Sequence, residues 1–292
     1  MVKSLSQLYL DERKQLIAGG ETRQEAGTVS RMLLCHFSGR TLESVLADRD
    51  AEVSDEVFSA MDSAVKRYIR GEPLAYILGE WDFYGLPLAI NSSVLIPRDD
   101  TCAVTSLAVK QALFLGQNPR ILDLCTGSGC IGIAIANRVK DARITLGDVS
   151  REALAVAKKN VNTNKMTGRV SCVQVDALKP APTFLGQFDL IVSNPPYVTE
   201  EEMKELPAGV KDYEPHLALY GGCDGLDFYR SICSNFRAAL KPGGYLCFEF
   251  GMDQGDSVCR ILRENGFTVL ERVKDFNGRE RAVMARYIRK DW

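Results

Sequence analysis

The chain has few histidines, no closely spaced cysteine pair and no long apolar run. Its 292 residues include only two histidines, His36 and His216, and nine scattered cysteines without a Cys-x-x-Cys spacing. Zinc sites need clustered cysteine and histidine ligands, so we predict that the protein binds no metal. An odd number of scattered cysteines suits a reducing compartment better than a disulfide scaffold, which predicts a cytoplasmic protein.

The distribution of apolar and charged residues argues against membranes and nucleic acid as partners. The longest apolar stretch, Cys130 to Ala136, is far shorter than the ~18 residues of a membrane span, and the first residues lack the apolar centre of a signal peptide. The net charge is −2 and no long basic run occurs, which disfavours direct sequence-specific nucleic-acid binding. Because 46% of the residues are hydrophobic, we expect a soluble globular protein. We also expect it to be a monomer and to act away from membranes.

The pattern of apolar residues divides the chain into parts of different character. Thr22 followed by Glu25 predicts a capping box that opens a helix, and Gly39 suits its end. A later helix is expected to begin at Ser54 or Asp55. We predict a helical domain over residues 1–75, a β-hairpin linker over 76–97 and a third region over 98–292.

From about residue 98, strands and helices alternate. This order is typical of an α/β fold with a mostly parallel sheet covered by helices on both faces. The expected strands are 120–124, 142–148, 169–176 and 188–194, followed by an irregular insertion at 198–226, a turn at KPGG, the strand YLCFEFG and two closing strands.

A glycine-rich loop follows the first of these strands, where open α/β sheets bind ligands. Gly127-x-Gly129-x-x-Gly132 matches a dinucleotide fingerprint. Taken alone, it fits a nucleotide, a methionine-containing nucleoside or a bare turn about equally well. Asp123, just before the loop, favours the second, because its carboxylate can reach the amino group of a cationic amino-acid tail.

Two further carboxylates end the next two strands. Asp148 can accept hydrogen bonds from both hydroxyls of a ribose, and the alternative is a solvated helix cap. Asp176 can accept from an adenine amino group, although a carboxylate that merely opens a loop is an equal interpretation. These positions suit a nucleoside ligand.

The segment Asn194-Pro195-Pro196-Tyr197 follows the fourth strand. Two prolines remove two backbone donors and stiffen the turn, so it presents carbonyl groups. The Asn194 side-chain oxygen and the Pro195 carbonyl can then accept both hydrogens of an NH₂ group, and Tyr197 can stack on the planar group that carries it. The segment therefore predicts methylation of a planar amide or amino nitrogen, with a plain Pro-Pro loop as the structural alternative.

The chain resembles the peptide-chain release factor N5-glutamine methyltransferases, the HemK/PrmC family, over nearly its whole length. The Asn-Pro-Pro-Tyr segment alone is shared with adenine-N6 DNA methyltransferases. The family-specific parts are RGEPLAYILGEWDFYGL, YEPHLALYGGCDGLDFYR and KDFNGRERAVMA. The resemblance implies a Rossmann-like class I sheet, S-adenosylmethionine as cofactor and a glutamine of a release factor as substrate.

The resemblance also implies roles for particular residues. The family's cofactor contacts fall on Thr126, Gly127, Gly129, Asp148, Ala177 beside Asp176, and Asn194, while its substrate contacts fall on Asn194, Pro195, Pro196 and Tyr197. The helical domain would help to dock the release factor. Two departures stand out: Asp99 and Cys102 replace the usual proline and glutamate of one loop, and Cys125 replaces a glycine, which is harmless only if its φ is negative.

Rival functions remain open at this point. A nucleic-acid adenine-N6 methyltransferase should add a basic groove or a target-reading segment. A release-factor-binding module without turnover would not need an intact glycine loop and Asn194 turn. An NAD-dependent dehydrogenase lacks support, because nothing supplies the acid or base for hydride transfer.

Overall fold

The computed structural model describes residues 4–288. The chain divides into two compact units. The first comprises Met1–Gly79 and Ala208–Tyr213, and the second comprises Glu80–Pro207 and Glu214–Trp292.

The first unit is helical. The predicted capping box is confirmed, because the Glu25 amide donates to Thr22 Oγ1 over 3.2 Å and that hydroxyl donates to the Glu25 carboxylate. Gly39 ends the helix with φ +65°, and Ser54 caps the later one. Apolar faces of these helices meet in one core. The helices of the first unit are α1 (Leu5–Ala18), α2 (Arg23–Ser38), α3 (Leu42–Ala47), α4 (Asp55–Ile69) and α5 (Leu74–Leu78), with the short α10 (Ala208–Lys211) from later in the chain.

A β-hairpin opens the second unit. Its strands β1 (Glu80–Phe83) and β2 (Leu86–Ala89) pair in antiparallel fashion. Tyr84 and Gly85 both have positive φ, which is the backbone that a two-residue hairpin turn requires. The hairpin is shorter than the predicted segment, because residues 76–78 belong to α5 and residues 90–97 form no regular element.

The second unit is built on a seven-stranded sheet. Its strands are β3 (Arg120–Leu124), β4 (Arg143–Asp148), β5 (Val170–Gln174), β6 (Phe188–Ser193), β7 (Leu240–Glu249), β8 (Phe267–Lys274) and β9 (Glu280–Tyr287). Their order in the sheet is β5-β4-β3-β6-β7-β9-β8. Strands β3 to β7 run parallel, while β9 is antiparallel to β7 and to β8. The chain reverses its direction of strand addition between β3 and β6, which opens a crevice at their carboxyl ends.

Helices of the second unit accompany the sheet. The predicted α/β alternation is confirmed, and a helix of residues 130–138 follows the glycine loop. The helices are α6 (Cys102–Leu113), α7 (Cys130–Arg138), α8 (Arg151–Thr163), the short α9 (Glu202–Glu205), α11 (Asp227–Asn235) and α12 (Gly255–Glu264).

The turn predicted at KPGG is instead a bulge inside β7. Phe188 pairs with Leu240, but Leu190 pairs with Tyr245, so Lys241 to Gly244 loop out of the strand. Proline and a glycine with φ +76° permit this excursion without ending the strand. The prediction of a turn was therefore wrong about where the strand begins.

Candidate active site

A cavity of about 410 Å³ lies at the carboxyl ends of the parallel strands. Most of the residues predicted to bind cofactor or substrate line it. These are Thr126, Gly127, Asp148, Asp176, Ala177, Asn194 and Pro196. The other predicted residues lie outside its lining: Asp123, Gly129, Pro195 and Tyr197.

The glycine loop turns sharply between β3 and α7. Gly129 immediately precedes α7 with φ +84°, a left-handed conformation that favours glycine. At Gly132, in the first turn of α7, a Cβ atom would lie 2.3 Å from the Leu146 side chain. The fingerprint glycines therefore bring α7 close to β4 and leave the loop backbone open to the cavity.

Asp123 is a buried carboxyl within β3, with no measurable exposure. Its Oδ2 accepts hydrogen bonds from Thr126 Oγ1 (2.6 Å) and the Gly132 amide (2.9 Å). Among residues 4–288, Oδ1 has no hydrogen-bond partner. Burial raises the pKa of Asp123 to about 7, although those two hydrogen bonds oppose the shift. An unpaired buried oxygen fits a ligand that brings its own cationic donor.

Asp148 lines the cavity at the end of β4. Its Oδ2 accepts from the Gly127 amide (2.9 Å) and its Oδ1 from the Ser150 amide (3.0 Å). Ser150, rather than Asp148, caps α8 through the Ala153 amide. Burial raises the pKa of Asp148. Each oxygen retains capacity for a second donor, so the carboxylate can tie the loop and still accept ligand hydroxyls.

Asp176 opens a turn and also reaches the cavity. Its Oδ1 accepts from the Leu178 amide (2.9 Å), so it opens a turn, and its Oδ2 lies 3.2 Å from Lys179 Nζ. The residue also lines the cavity together with Ala177. Its carboxylate is therefore held in a fixed position at the cavity edge.

Cys125 has φ +60°, so the condition of a negative φ is not met. The left-handed conformation strains any residue that carries a Cβ atom. Burial also raises the pKa of its thiol, which keeps the sulfur protonated at the cavity wall. A cysteine in place of glycine here costs conformational energy in the loop that follows β3.

The Asn194 turn presents acceptors. Asn194 Nδ2 donates to Thr101 Oγ1 over 3.3 Å. Within the described residues, no hydrogen bond reaches the side-chain oxygen of Asn194 or the carbonyl oxygen of Pro195. Pro195 and Pro196 contribute no N–H groups. The two oxygens that the sequence predicted as acceptors are thus unpaired.

The insertion before α11 holds this turn in place. The Val198 amide donates to Leu219 O (2.8 Å), the Gly221 amide donates to Val198 O (2.9 Å), and Gln254 Nε2 donates to Tyr197 O (2.9 Å). A Cβ atom on Gly221 would lie 2.6 Å from Tyr197 Cα. The glycines of YGGCDG therefore permit a close approach of two backbones.

Tyr197 is partly buried and packs against the main core of the second unit. Burial raises the pKa of its hydroxyl above the ordinary value, so the side chain stays neutral. Its stacking on a substrate stays a prediction.

Three residues at the site were missed from the sequence: Thr101, Glu249 and Gln254. Glu249 carried a visible signal, because an acid at the end of the apolar strand YLCFEFG is unusual. Thr101 and Gln254 carried none, since their contacts with Asn194 and Tyr197 join distant parts of the chain.

The loop that departs from the family pattern ends in a short helical turn, Asp99–Thr101. Within this turn, the Asp100 carboxylate lies 3.0 Å from the guanidinium of Arg281 in β9. Cys102 is the first residue of α6. The loop is therefore anchored through Asp100, and the structure shows no contact that explains Asp99 or Cys102.

Comparisons with known proteins bear on the whole chain. Residues 7–79 match the PrmC N-terminal domain, and residues 104–208 match the Methyltransferase small domain. The release factor glutamine methyltransferase of Clostridium acetobutylicum is 36% identical over 256 residues, which cover 88% of this chain and 90% of that protein. The chain belongs to the release factor glutamine methyltransferase family.

A second relative agrees with this assignment. The release factor glutamine methyltransferase of Thermodesulfovibrio yellowstonii is 37% identical over 253 residues, covering 86% of this chain and 89% of that protein. The resemblance inferred from the sequence motifs is thereby confirmed.

One solved structure resembles this chain in fold. The hMettl16 catalytic domain in complex with the MAT2A 3′UTR hairpin 6 has a TM-score of 0.56 and 16% identity, covering 82% of this chain and 84% of that chain.

Among residues 4–288, no helix combines the length and apolar character of a membrane span. The same residues contain no group of three or more His, Cys, Asp or Glu side chains placed to hold a metal.

Proposed function

We propose that the protein transfers a methyl group from S-adenosylmethionine to the side-chain amide nitrogen, N5, of the glutamine in the GGQ motif of a peptide-chain release factor. Such methylation modulates translation termination. The observation that carries the proposal is the Asn194 turn, whose two oxygens have no partner among residues 4–288 and are available to an NH₂ group, in a chain that belongs to this family.

The cofactor would occupy the cavity beside the glycine loop. The unpaired Oδ1 of Asp123 suits its ammonium group, Asp148 suits its ribose hydroxyls, and Asp176 suits its adenine amino group. S-adenosylmethionine supplies an electrophilic methyl group on a sulfonium. Asp148 is already oriented by the Gly127 amide, so little ordering is required when a ligand binds.

The turn would prepare the substrate nitrogen. An amide nitrogen is a poor nucleophile, because its lone pair is delocalised into the carbonyl group. When Asn194 Oδ1 and the Pro195 carbonyl accept both N–H hydrogens, the nitrogen is fixed in position and gains electron density. Neither histidine of the chain lines the cavity. As the S–CH₃ bond breaks and the N–CH₃ bond forms, the nitrogen becomes strongly acidic and loses one proton to water, so this mechanism requires no strong base.

Methylation of an adenine amino group in nucleic acid is the alternative, because the same turn can hold a purine amine. The chain has a net charge of −2 and belongs to the release factor glutamine methyltransferase family, and both facts favour a protein substrate over nucleic acid. Incubation with labelled cofactor and either a release factor or an adenine-rich oligonucleotide separates the two. Label in the oligonucleotide alone would overturn the proposal.

The first unit is proposed to dock the release factor. Every proposed cofactor residue lies beyond residue 120, so deletion of residues 1–71 should spare cofactor affinity and sharply reduce methylation of the intact factor. Tyr213 would lose its hydrogen bond to the Arg70 carbonyl in this deletion, so Tyr213→Phe is the matched control. A deleted protein that works at the full rate would show that this unit is not a docking element.

Mass spectrometry provides the direct test. A release factor incubated with the protein and S-adenosylmethionine should gain one methyl group, and fragmentation should place it on the glutamine of the GGQ motif. Binding of the factor and of the cofactor without any gain in mass would identify a binding module instead.

A further inference from the structure

Glu249 is a buried carboxyl that the proposed chemistry does not use. It ends β7, which pairs with β6 so that Phe248 lies opposite Ser193. Glu249 and Asn194 therefore stand side by side at the same edge of the sheet. The residue is 1% exposed, and among residues 4–288 its Oε2 has no hydrogen-bond partner.

Glu249 lies beside Asn194, the proposed substrate acceptor, and beside Thr101, which binds the Asn194 amide. Hydrogen bonding from Thr101 and from Asn194 lowers its pKa. Thr101 Oγ1 in turn accepts from Asn194 Nδ2. A carboxylate can only accept, and a hydroxyl has a single hydrogen. When Thr101 gives that hydrogen to Glu249, its oxygen can only accept, and the NH₂ end of Asn194 is the available donor.

We propose that Glu249, acting through Thr101, is the positioning residue that determines which end of the Asn194 amide faces the substrate. The inference rests on the proposed methylation of glutamine. The opposite orientation would set the NH₂ group of Asn194 against the NH₂ group of the substrate, and the turn would lose one of its two acceptors.

Protonation of Glu249 reverses the direction of donation. A protonated Glu249 can donate to Thr101, whose hydrogen is then free to point at Asn194 Oδ1 and stabilise the wrong orientation. Burial raises the pKa of Glu249 to about 7, opposed by Thr101 and by the positive charge of Arg281. The protonated form increases below that pKa, so turnover should fall as the pH falls through neutrality.

Other groups also face Glu249, and they belong to several elements. Arg281 of β9 is the cation among them and favours the ionised carboxyl. The titratable and charged groups are Arg281, Asp100, Tyr197, Tyr229, Cys102 and Cys130.

The test compares methylation of a release factor by the wild type, Glu249→Gln, Thr101→Ser and Thr101→Val, from about pH 6 to about pH 9. Glutamine keeps the shape but adds a donor. Glu249→Gln should lower kcat by about 10- to 100-fold and remove the acid limb, since a misdirected acceptor displaces the nitrogen. Its cofactor affinity, measured by calorimetry, should stay within about 2-fold, because Asp123, Asp148 and Asp176, the carboxylates proposed to bind the cofactor, are unchanged.

Variants of Thr101 provide the second part of the test. Thr101→Ser keeps the hydroxyl and should retain most of the activity, whereas Thr101→Val should resemble Glu249→Gln. The double variant Glu249→Gln/Thr101→Val should be no slower than the slower single variant, because both act through one chain of hydrogen bonds.

Three outcomes would overturn the inference. They are a wild-type kcat and acid limb in Glu249→Gln, additive losses in the double variant, and equal activity of Thr101→Ser and Thr101→Val. If Glu249→Gln does not fold, the comparison of Thr101→Ser with Thr101→Val tests the inference by itself. A wild-type chain that methylates no release factor would instead overturn the proposed function, which is a distinct result.

Discussion

The two sides of the cavity satisfy their polar groups to different extents. On the side of β3 and β4, the protein binds its carboxylates itself, the Gly127 amide pairing with Asp148 and the Thr126 hydroxyl with Asp123, and among the described residues Asp123 Oδ1 stays without a partner. At the end of β6, the Asn194 side-chain oxygen and the Pro195 carbonyl both have no partner among the described residues. The first side fixes the shape of the glycine loop, and the second keeps both of its acceptors open.

This difference has a structural basis. Pro195 and Pro196 deprive the turn of two backbone donors, so an open turn needs support from its surroundings. Gln254 and the glycine-rich insertion supply it through the backbone on either side of Tyr197. Changes on the open side should therefore alter turnover, and changes on the paired side should alter cofactor binding.

Asn194→Ala should have the largest effect. Removing one of two acceptors should lower the single-turnover rate by about 10²–10³ with little change in the melting temperature. Asn194→Asp keeps an acceptor but adds a charge beside the sulfonium, which should tighten cofactor binding and slow transfer. Tyr197→Phe keeps the ring and should retain much of the activity. An Asn194→Ala rate within a few-fold of the wild type would refute this mechanism.

Gly221→Ala should come next. Its Cβ atom would lie 2.6 Å from Tyr197 Cα and 2.7 Å from Pro196 O, so the turn must shift. We expect kcat to fall by about 100-fold and stability by about 1–3 kcal/mol. Gly168→Ala is the control, because nothing lies within 4 Å of its added atom. Equal kinetics for the two variants would show that the insertion does not position the turn.

Asp148→Ala tests the paired side. Loss of hydrogen bonds to a charged acceptor should weaken cofactor binding by about 1.5–3 kcal/mol, while kcat at saturating cofactor changes little. Because the Gly127 and Ser150 amides also lose their acceptor, Asp148→Asn is the matched variant and should lose less. Calorimetry that finds unchanged affinity for Asp148→Ala would remove this residue from the site.

The smallest effect should come from Cys125, whose φ is +60°. Cys125→Gly should be more stable than Cys125→Ala by about 1 kcal/mol, because only glycine adopts this conformation without strain. At Cys130, in the first turn of α7, Cys130→Ala should instead be more stable than Cys130→Gly. Free energies of unfolding in urea measure both differences, and the same order at both sites would contradict the assigned strain.

The sequence predicted those features that depend on local patterns. The bounds of α7 follow from a glycine loop and an apolar run, and the strand ends place Asp148 and Asn194 at one edge of the sheet. Helix α6 escaped prediction because its segment, CAVTSLAVKQAL, is apolar on several faces and shows no clear period. The β7 bulge escaped because proline and glycine ordinarily indicate a turn.

The remaining features of the site depend on contacts across the fold. Thr101 meets Asn194 from 93 residues away, and Gln254 meets Tyr197 from 57 residues away. No local pattern encodes these pairs, because the sheet order and the insertion bring them together. The left-handed backbone of Cys125 was likewise hidden, since the residue type ordinarily avoids it.

The two open acceptors also bear on when the reaction stops. A primary amide offers two hydrogens to Asn194 Oδ1 and the Pro195 carbonyl, but its monomethylated product keeps only one. If the product bound again in the same place, one oxygen would be desolvated without a donor, at a cost of about 1–3 kcal/mol. The turn therefore favours a primary amide over its monomethylated product. Prolonged incubation should yield monomethylated glutamine with no dimethyl species in the mass spectrum.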